Sequence, residues 1–254
     1  MGFATRRARQ ALAAGLLAQA TVFGFAPAPA CAADLTPTET RWIQGGLPVL
    51  QHARAAGVPL DIVVQPQPAA GEAPLAMAYV EGRCKLVLTM RDNPAAQIML
   101  EAVEPALRDG VLELMAAHEL GHCLRHVSGR WQVRPLNYAP YFPIALPDHQ
   151  RPDYAQMQAT RLEEGYADLV GLAWIRHTRP QQYAQLHRWL VREREAELHP
   201  ESHHDTLAWL ALARDGDVLA GGATPFARVV DVWLLGVEQV GATGKATAQL
   251  GRLP

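Results

Sequence analysis

Apolar residues recur along this chain with several spacings, and each change of spacing marks a boundary. An unbroken apolar run from Ala11 to Phe25 comes first. Residues 36–57 then read as a helix, broken around Gly45-Gly46 and Pro48 and stopped at Gly57. Three short apolar or alternating runs follow, LDIVV, LAMAYV and CKLVLT, separated by Pro and Gly; they predict three strands of a small antiparallel sheet. A helix opens at Asp92 or Asn93 with Pro94 in its first turn, and a second runs from about Gly110 to Val127, closing near Gly129. From Trp131 to Tyr154 the periodicity gives way to a loop of five prolines interleaved with Tyr138, Tyr141 and Phe142, a length that compact domains seldom carry without a function. Helical spacing returns over 155–178, 181–197, 203–214 and 225–240, with Trp174, Trp189, Trp209 and Trp233 on core positions, and residues 241–254 read as a flexible tail.

The first thirty residues stand apart. Arg6, Arg7 and Arg9 precede the apolar run, which ends in APAPACAAD, the layout of a secretory signal peptide cut near residues 30–33, after Ala30 or Ala32. The Arg6-Arg7 pair lacks the apolar residues that normally follow a twin-arginine signal. Cys31 is a candidate lipid anchor, although no bulky aliphatic residue stands three positions before it. The apolar run is shorter than the about 20 residues a bilayer-spanning helix needs, and no other segment is long enough, so no membrane span is expected. A periplasmic or secreted protein follows, a lipoprotein being the variant reading.

The remaining composition narrows the class. With 254 residues, 49% hydrophobic and 19% charged, the chain can bury a substantial core, and 34–240 reads as a single domain. Removing the signal takes three arginines and no acid, leaving 20 basic against 25 acidic residues, a net charge of −5. No basic stripe exists for a nucleic acid to bind. Cys84 and Cys123 are either a disulfide permitted by export or two small buried hydrophobes.

Candidate chemistry lies in HELGH, residues 118–122. Helical residues four apart project side by side, so His118 and His122 can share one cation, with Glu119 a residue round the face. In this HExxH arrangement two imidazoles bind zinc and the glutamate acts on the metal's water. Chance supplies such a pentapeptide in roughly 2% of chains of this make-up, so a partner is needed. The next helix offers Glu164 and Asp168, again four apart, one able to bind a metal while the other holds an imidazole by its free N–H. Glu163 is the neighbouring alternative ligand. His126, in the helix's last turn, is placed to interact with the helix dipole.

HExxH with a downstream E-x-x-A-D, here EGYAD at 164–168, resembles the gluzincin zinc metallopeptidases, in particular the CAAX prenyl endopeptidase branch and its small soluble bacterial relatives. That branch also tends to carry a later His-Pro followed by Ser and Arg. This chain has His199, Pro200 and Ser202, with Asp205 where the arginine would stand. A metzincin is excluded because its third histidine would fall at Ser128. The resemblance covers roughly residues 84–206 and implies a zincin-like α+β fold, predominantly helical, with the small sheet packed on the active-site helix and a C-terminal helical part. It implies one Zn²⁺ on His118, His122 and Glu164, with Asp168 behind a ligating imidazole.

The chemistry implied is peptide-bond hydrolysis. Zinc lowers the pKa of its water toward about 7 and polarises the scissile carbonyl. Glu119 takes the water's proton and passes it to the leaving amine. The oxyanion needs a donor, for which His203, His204 and Tyr166 are candidates. By resemblance, the strand Cys84–Thr89 binds an extended peptide or protein substrate by strand addition, and the Pro-rich loop walls the site. The rival reading is a non-catalytic zinc-binding or chaperone-like interaction module; Glu119 argues against it, since a structural site fills its fourth position with protein.

Overall fold

Thr36 and Glu39 begin the fold with a reciprocal cap. Thr36 Oγ1 accepts from the Glu39 N–H at 3.2 Å, and Glu39 Oε2 accepts from the Thr36 N–H at 2.7 Å. Helix α1 (Pro37–Ala55) follows. The computed structural model describes residues 34–65, 67, 72–128, 147–198 and 202–250, with the side chains of 242–250 left aside. Residues 1–33, with the expected signal peptide and Cys31, residues 129–146 and the His199-Pro200 pair lie outside the described residues.

Helix α1 runs unbroken through Gly45, Gly46 and Pro48, against the break expected there. A Cβ on Gly45 would lie 2.4 Å from Leu112 Cδ1, and one on Gly46 2.8 Å from Ala116 Cβ. The glycines therefore bring α1 onto helix α3 (Arg108–Val127), and that contact outweighs the helix-breaking cost of about 1 kcal/mol per glycine and about 3 for proline.

Strands β1 (Leu60–Val64), β2 (Leu75–Val80) and β3 (Arg83–Leu88) form one sheet in the order β1-β3-β2. β2 and β3 are antiparallel, joined by Glu81 and Gly82, whose φ angles of 52° and 78° suit a type I′ hairpin. β1 instead pairs with β3 in parallel, from Leu60↔Cys84 to Val64↔Leu88, so the sheet is mixed rather than antiparallel. Strand alternation encodes which face is buried, not which way a neighbour runs, and the orientation is decided by long-range packing. The central place of β3 also corrects its assigned role. Both its edges are hydrogen-bonded, to β1 and to β2, so a peptide cannot add along it. Among the described residues the edges are β1 and β2.

Cys84, Leu86 and Leu88 turn one face of β3 into the core, and Cys84 is disulfide-bonded to Cys123 of α3, with Cα atoms 5.6 Å apart. Helix α2 (Ala95–Ala102) starts behind Pro94, where Asn93 Oδ1 accepts from the Ala95 N–H at 3.1 Å. Helix α4 (Arg151–Thr178) packs along α3; its start takes in Pro152 and Tyr154 of the stretch expected to be loop. Helices α5 (Tyr183–Ala196), α6 (Leu207–Leu212) and α7 (Val229–Leu250) pack on α4, and α7 continues past the boundary expected at 240. The result is an α+β fold, predominantly helical. No described helix is long and apolar enough to cross a membrane.

Candidate metal centre

Two glycines let the site helices meet. A Cβ at Gly121 would fall 2.8 Å from Ala167 Cα, and one at Gly171 3.0 Å from the Leu114 carbonyl oxygen, so α3 and α4 touch almost backbone to backbone. At this crossing the helical spacing puts His118 and His122 on the face of α3 that meets Glu163, Glu164 and Asp168 of α4. One donor atom from each of His118, His122 and Glu164 falls within 4.8 Å of the others.

Each imidazole is held from behind by a carboxylate. His118 Nδ1 lies 2.9 Å from Asp168 Oδ1, and His122 Nδ1 lies 3.0 Å from Glu163 Oε1. A carboxylate only accepts, so both Nδ1 atoms carry the proton and, in neutral rings, both Nε2 atoms present a lone pair. Those lone pairs face one another at 3.2 Å. Glu164 completes the triangle, its oxygens 3.4 Å from His118 Nε2 and 3.7 Å from His122 Nε2. Glu164 Oε2 is buried and accepts no hydrogen bond. Three acceptors crowd one point, an arrangement that only a proton or a cation relieves. The spacing suits a small dication: two nitrogens about 2.0–2.1 Å from a tetrahedral zinc stand roughly 3.3 Å apart.

The electrostatics agree. Burial works against a charged His118, but Asp168 and Glu164 outweigh it and push its pKa up to about 10. Burial would raise the Glu164 carboxyl, yet His118, His122 and His204 hold it at about 2. Glu119 is buried beside them, and burial pushes its carboxyl above the usual range.

Asp168 does more than its spacing suggested. It is fully buried, with Arg194 Nη2 donating to Oδ1 at 2.6 Å, Arg194 Nε to Oδ2 at 3.0 Å, and Thr206 Oγ1 to Oδ2 at 2.6 Å. The guanidinium outweighs burial and keeps Asp168 far below the ordinary carboxyl range. The cation serving the site is therefore Arg194, on α5, ahead of the His199-Pro200 pair; Asp205 pairs with Arg161 at 3.8 Å. Arg194 and Thr206 were missed because REREAE reads as a solvated helix face and a lone threonine carries no pattern. Glu163 serves as the holder of His122.

His203 and His204 reach the same carboxylate from the loop before α6. His204 Nε2 is 3.8 Å from Glu164 Oε2, and its Nδ1 is held by Glu197. The two rings lie 4.1 Å apart, and Arg161 fixes the loop through the Ser202 carbonyl at 2.8 Å. Tyr166 is buried with its ring edge-on to Trp233. His126 stacks flat on Tyr79 of β2, centroids 4.8 Å apart, at the last turn of α3. No protein-family profile, no curated protein and no solved structure matches this chain.

Proposed function

We propose that this chain is an exported zinc-dependent metallopeptidase of gluzincin type on a zincin-like fold. The observation that carries the reading is the convergence of two outward-facing Nε2 lone pairs and an unpartnered, buried Glu164 oxygen, one residue from a buried Glu119. His118, His122 and Glu164 would hold a dication, which when bound would supply a water acidic enough to attack near neutral pH and a charge to polarise the scissile carbonyl. Glu119, whose burial raises its affinity for a proton, would accept the attacking water's proton at a carboxylate oxygen and hand it to the leaving amine. His203 and His204, each with a ring nitrogen within 4.8 Å of a Glu164 oxygen, are the candidate donors to the developing oxyanion.

The substrate is a peptide or protein in extended form. With β3 occupied on both sides, its place is along the edge of β2, the strand whose Tyr79 already stacks on His126 of the metal helix. The Cys84–Cys123 bridge suits the oxidising periplasmic or extracellular compartment that the N-terminal segment implies.

The test compares purified wild-type protein with Glu119→Gln for zinc content and for hydrolysis of peptides. Both proteins should carry zinc, and the variant should lose about 10²- to 10⁴-fold in rate. Zinc-loaded wild type that cuts no peptide would favour the interaction-module reading, and undiminished hydrolysis in the variant would remove Glu119 as the base.

A further inference from the structure

Glu164 faces two pairs of histidines. On one side are His118 and His122; on the other are His203 and His204, each offering a ring nitrogen within 4.8 Å of the carboxylate and of the other. We propose that a second divalent cation binds between Glu164, His203 and His204, so that Glu164 bridges two metal ions. This rests on the metal-centre reading given above.

Three observations support it. His204 repeats the pattern of the first two ligands: its Nδ1 is held by Glu197, which leaves the Nε2 lone pair directed to Glu164 Oε2 at 3.8 Å. Glu164 Oε2 is buried without a hydrogen-bond donor, 3.4 Å from His118 Nε2 and 3.8 Å from His204 Nε2. A carboxylate has lone pairs enough to serve both sides. Finally, Glu164, Asp168 and Glu197 lie within 3.9 Å of one guanidinium, Arg194, and Glu119 and Glu163 stand beside the same imidazoles, a surplus of negative charge larger than one dication balances.

The donor set of two imidazoles and a carboxylate selects zinc, or cobalt and nickel in its place, over magnesium or calcium. The first site fills first: its two imidazoles are both held by carboxylates and are the more deeply buried, whereas the His204 side chain is 31% exposed. Metal binding needs the Nε2 of His204 unprotonated, whereas donation to an oxyanion needs it protonated, so the two roles exclude one another.

The experiment is a zinc titration of the whole chain, read as bound zinc by equilibrium dialysis and elemental analysis, with circular dichroism to confirm the fold. Wild type should pass through one zinc per chain and saturate at two. His203→Ala/His204→Ala should stop at one. Glu197→Gln, altered only at a half-exposed side chain, should keep the first zinc and weaken the second by about 10- to 100-fold. Saturation of wild type at one zinc, or two zinc ions retained by the double variant, overturns the second site and leaves the first intact. A double variant that binds none shows these histidines to belong to the first site. A wild type that binds none refutes the first site as well.

Discussion

Asp168 Oδ1 and His118 Nδ1, fifty residues apart in the chain, lie 2.9 Å apart in a fully buried contact. The same carboxylate holds Arg194 and Thr206, so one side chain sets an imidazole's tautomer and anchors two further segments. Asp168→Asn keeps the shape and removes the charge. Zinc affinity, measured by competition with a chromophoric chelator, should fall about 10- to 100-fold. The fold should also lose stability, because Arg194 is left without its carboxylate; breaking such a buried pair costs up to about 3–5 kcal/mol. Unchanged zinc affinity would show that the orientation of His118 does not depend on Asp168.

A metal ion on His118 would compete with a proton for one position. Burial opposes charge on His118, but Asp168 and Glu164 push its pKa up to about 10 when no metal is bound. Zinc uptake at pH 7 should then expel about one proton per ion. Calorimetry in two buffers of different ionisation enthalpy reads this directly, and equal binding heats would mean that His118 was already neutral. Because the folded value lies above the ordinary 6.5, protonation stabilises the metal-free fold fully below pH 6.5, and that contribution is lost as pH rises through about 10. The melting temperature of metal-free protein should accordingly drop across that window, more than that of the zinc-loaded form.

Gly121 sets the distance between the helices that carry His118, His122 and Glu164. An added Cβ meets Ala167 Cα at 2.8 Å and Val170 Cβ at 3.1 Å, and backbone cannot swing aside as a flexible side chain does. Gly121→Ala should destabilise by about 1–3 kcal/mol despite the better helix propensity of alanine. Zinc affinity should fall as well, since α4 carries Glu164 away from α3. A folded variant with wild-type affinity would show that the crossing tolerates wider spacing.

Glu39 supplies an acid-sensitive anchor. It is fully buried, caps α1 and pairs with Arg91 at 2.9 Å. Burial raises its pKa, but Arg91 and the Thr36 hydrogen bonds outweigh this and hold it below 4.5. Its contribution is therefore present above pH 4.5 and lost as pH falls through the lower folded value. Glu39→Gln should cost about 1–3 kcal/mol in urea unfolding at pH 7, and the gap from wild type should narrow in stronger acid. A gap that is the same at pH 7 and at pH 3 would remove Glu39 as the titrating group.

Much of this was legible in the residues, and what was not has physical reasons. That His118 and His122 share one face, and Glu164 and Asp168 another, followed from helical spacing, because side chains four apart do so whatever surrounds them; which carboxylate would be the ligand came only from the resemblance to the gluzincins. The strands LDIVV and LAMAYV were legible as short apolar runs set off by Pro and Gly. Gly45, Gly46 and Pro48 misled, since local propensity signals a break where tertiary packing places a close helix crossing. The parallel pairing of β1 with β3 depends on contacts distant in sequence. Arg194 stayed hidden because a buried cation looks like a solvated one until its partner is placed. The Cys84–Cys123 pair needed a distance, and composition alone left it open.

The hold of Arg194 on Asp168 bears on how small a working unit can be. A fragment ended after Thr178 would retain every proposed ligand of the first ion, together with Glu119. It would nonetheless lack the guanidinium, donated from α5, that allows Asp168 to remain ionised in the interior. The helix pair carrying the motifs is thus no self-sufficient cassette, and grafting it onto another scaffold would have to import a counter-charge along with it.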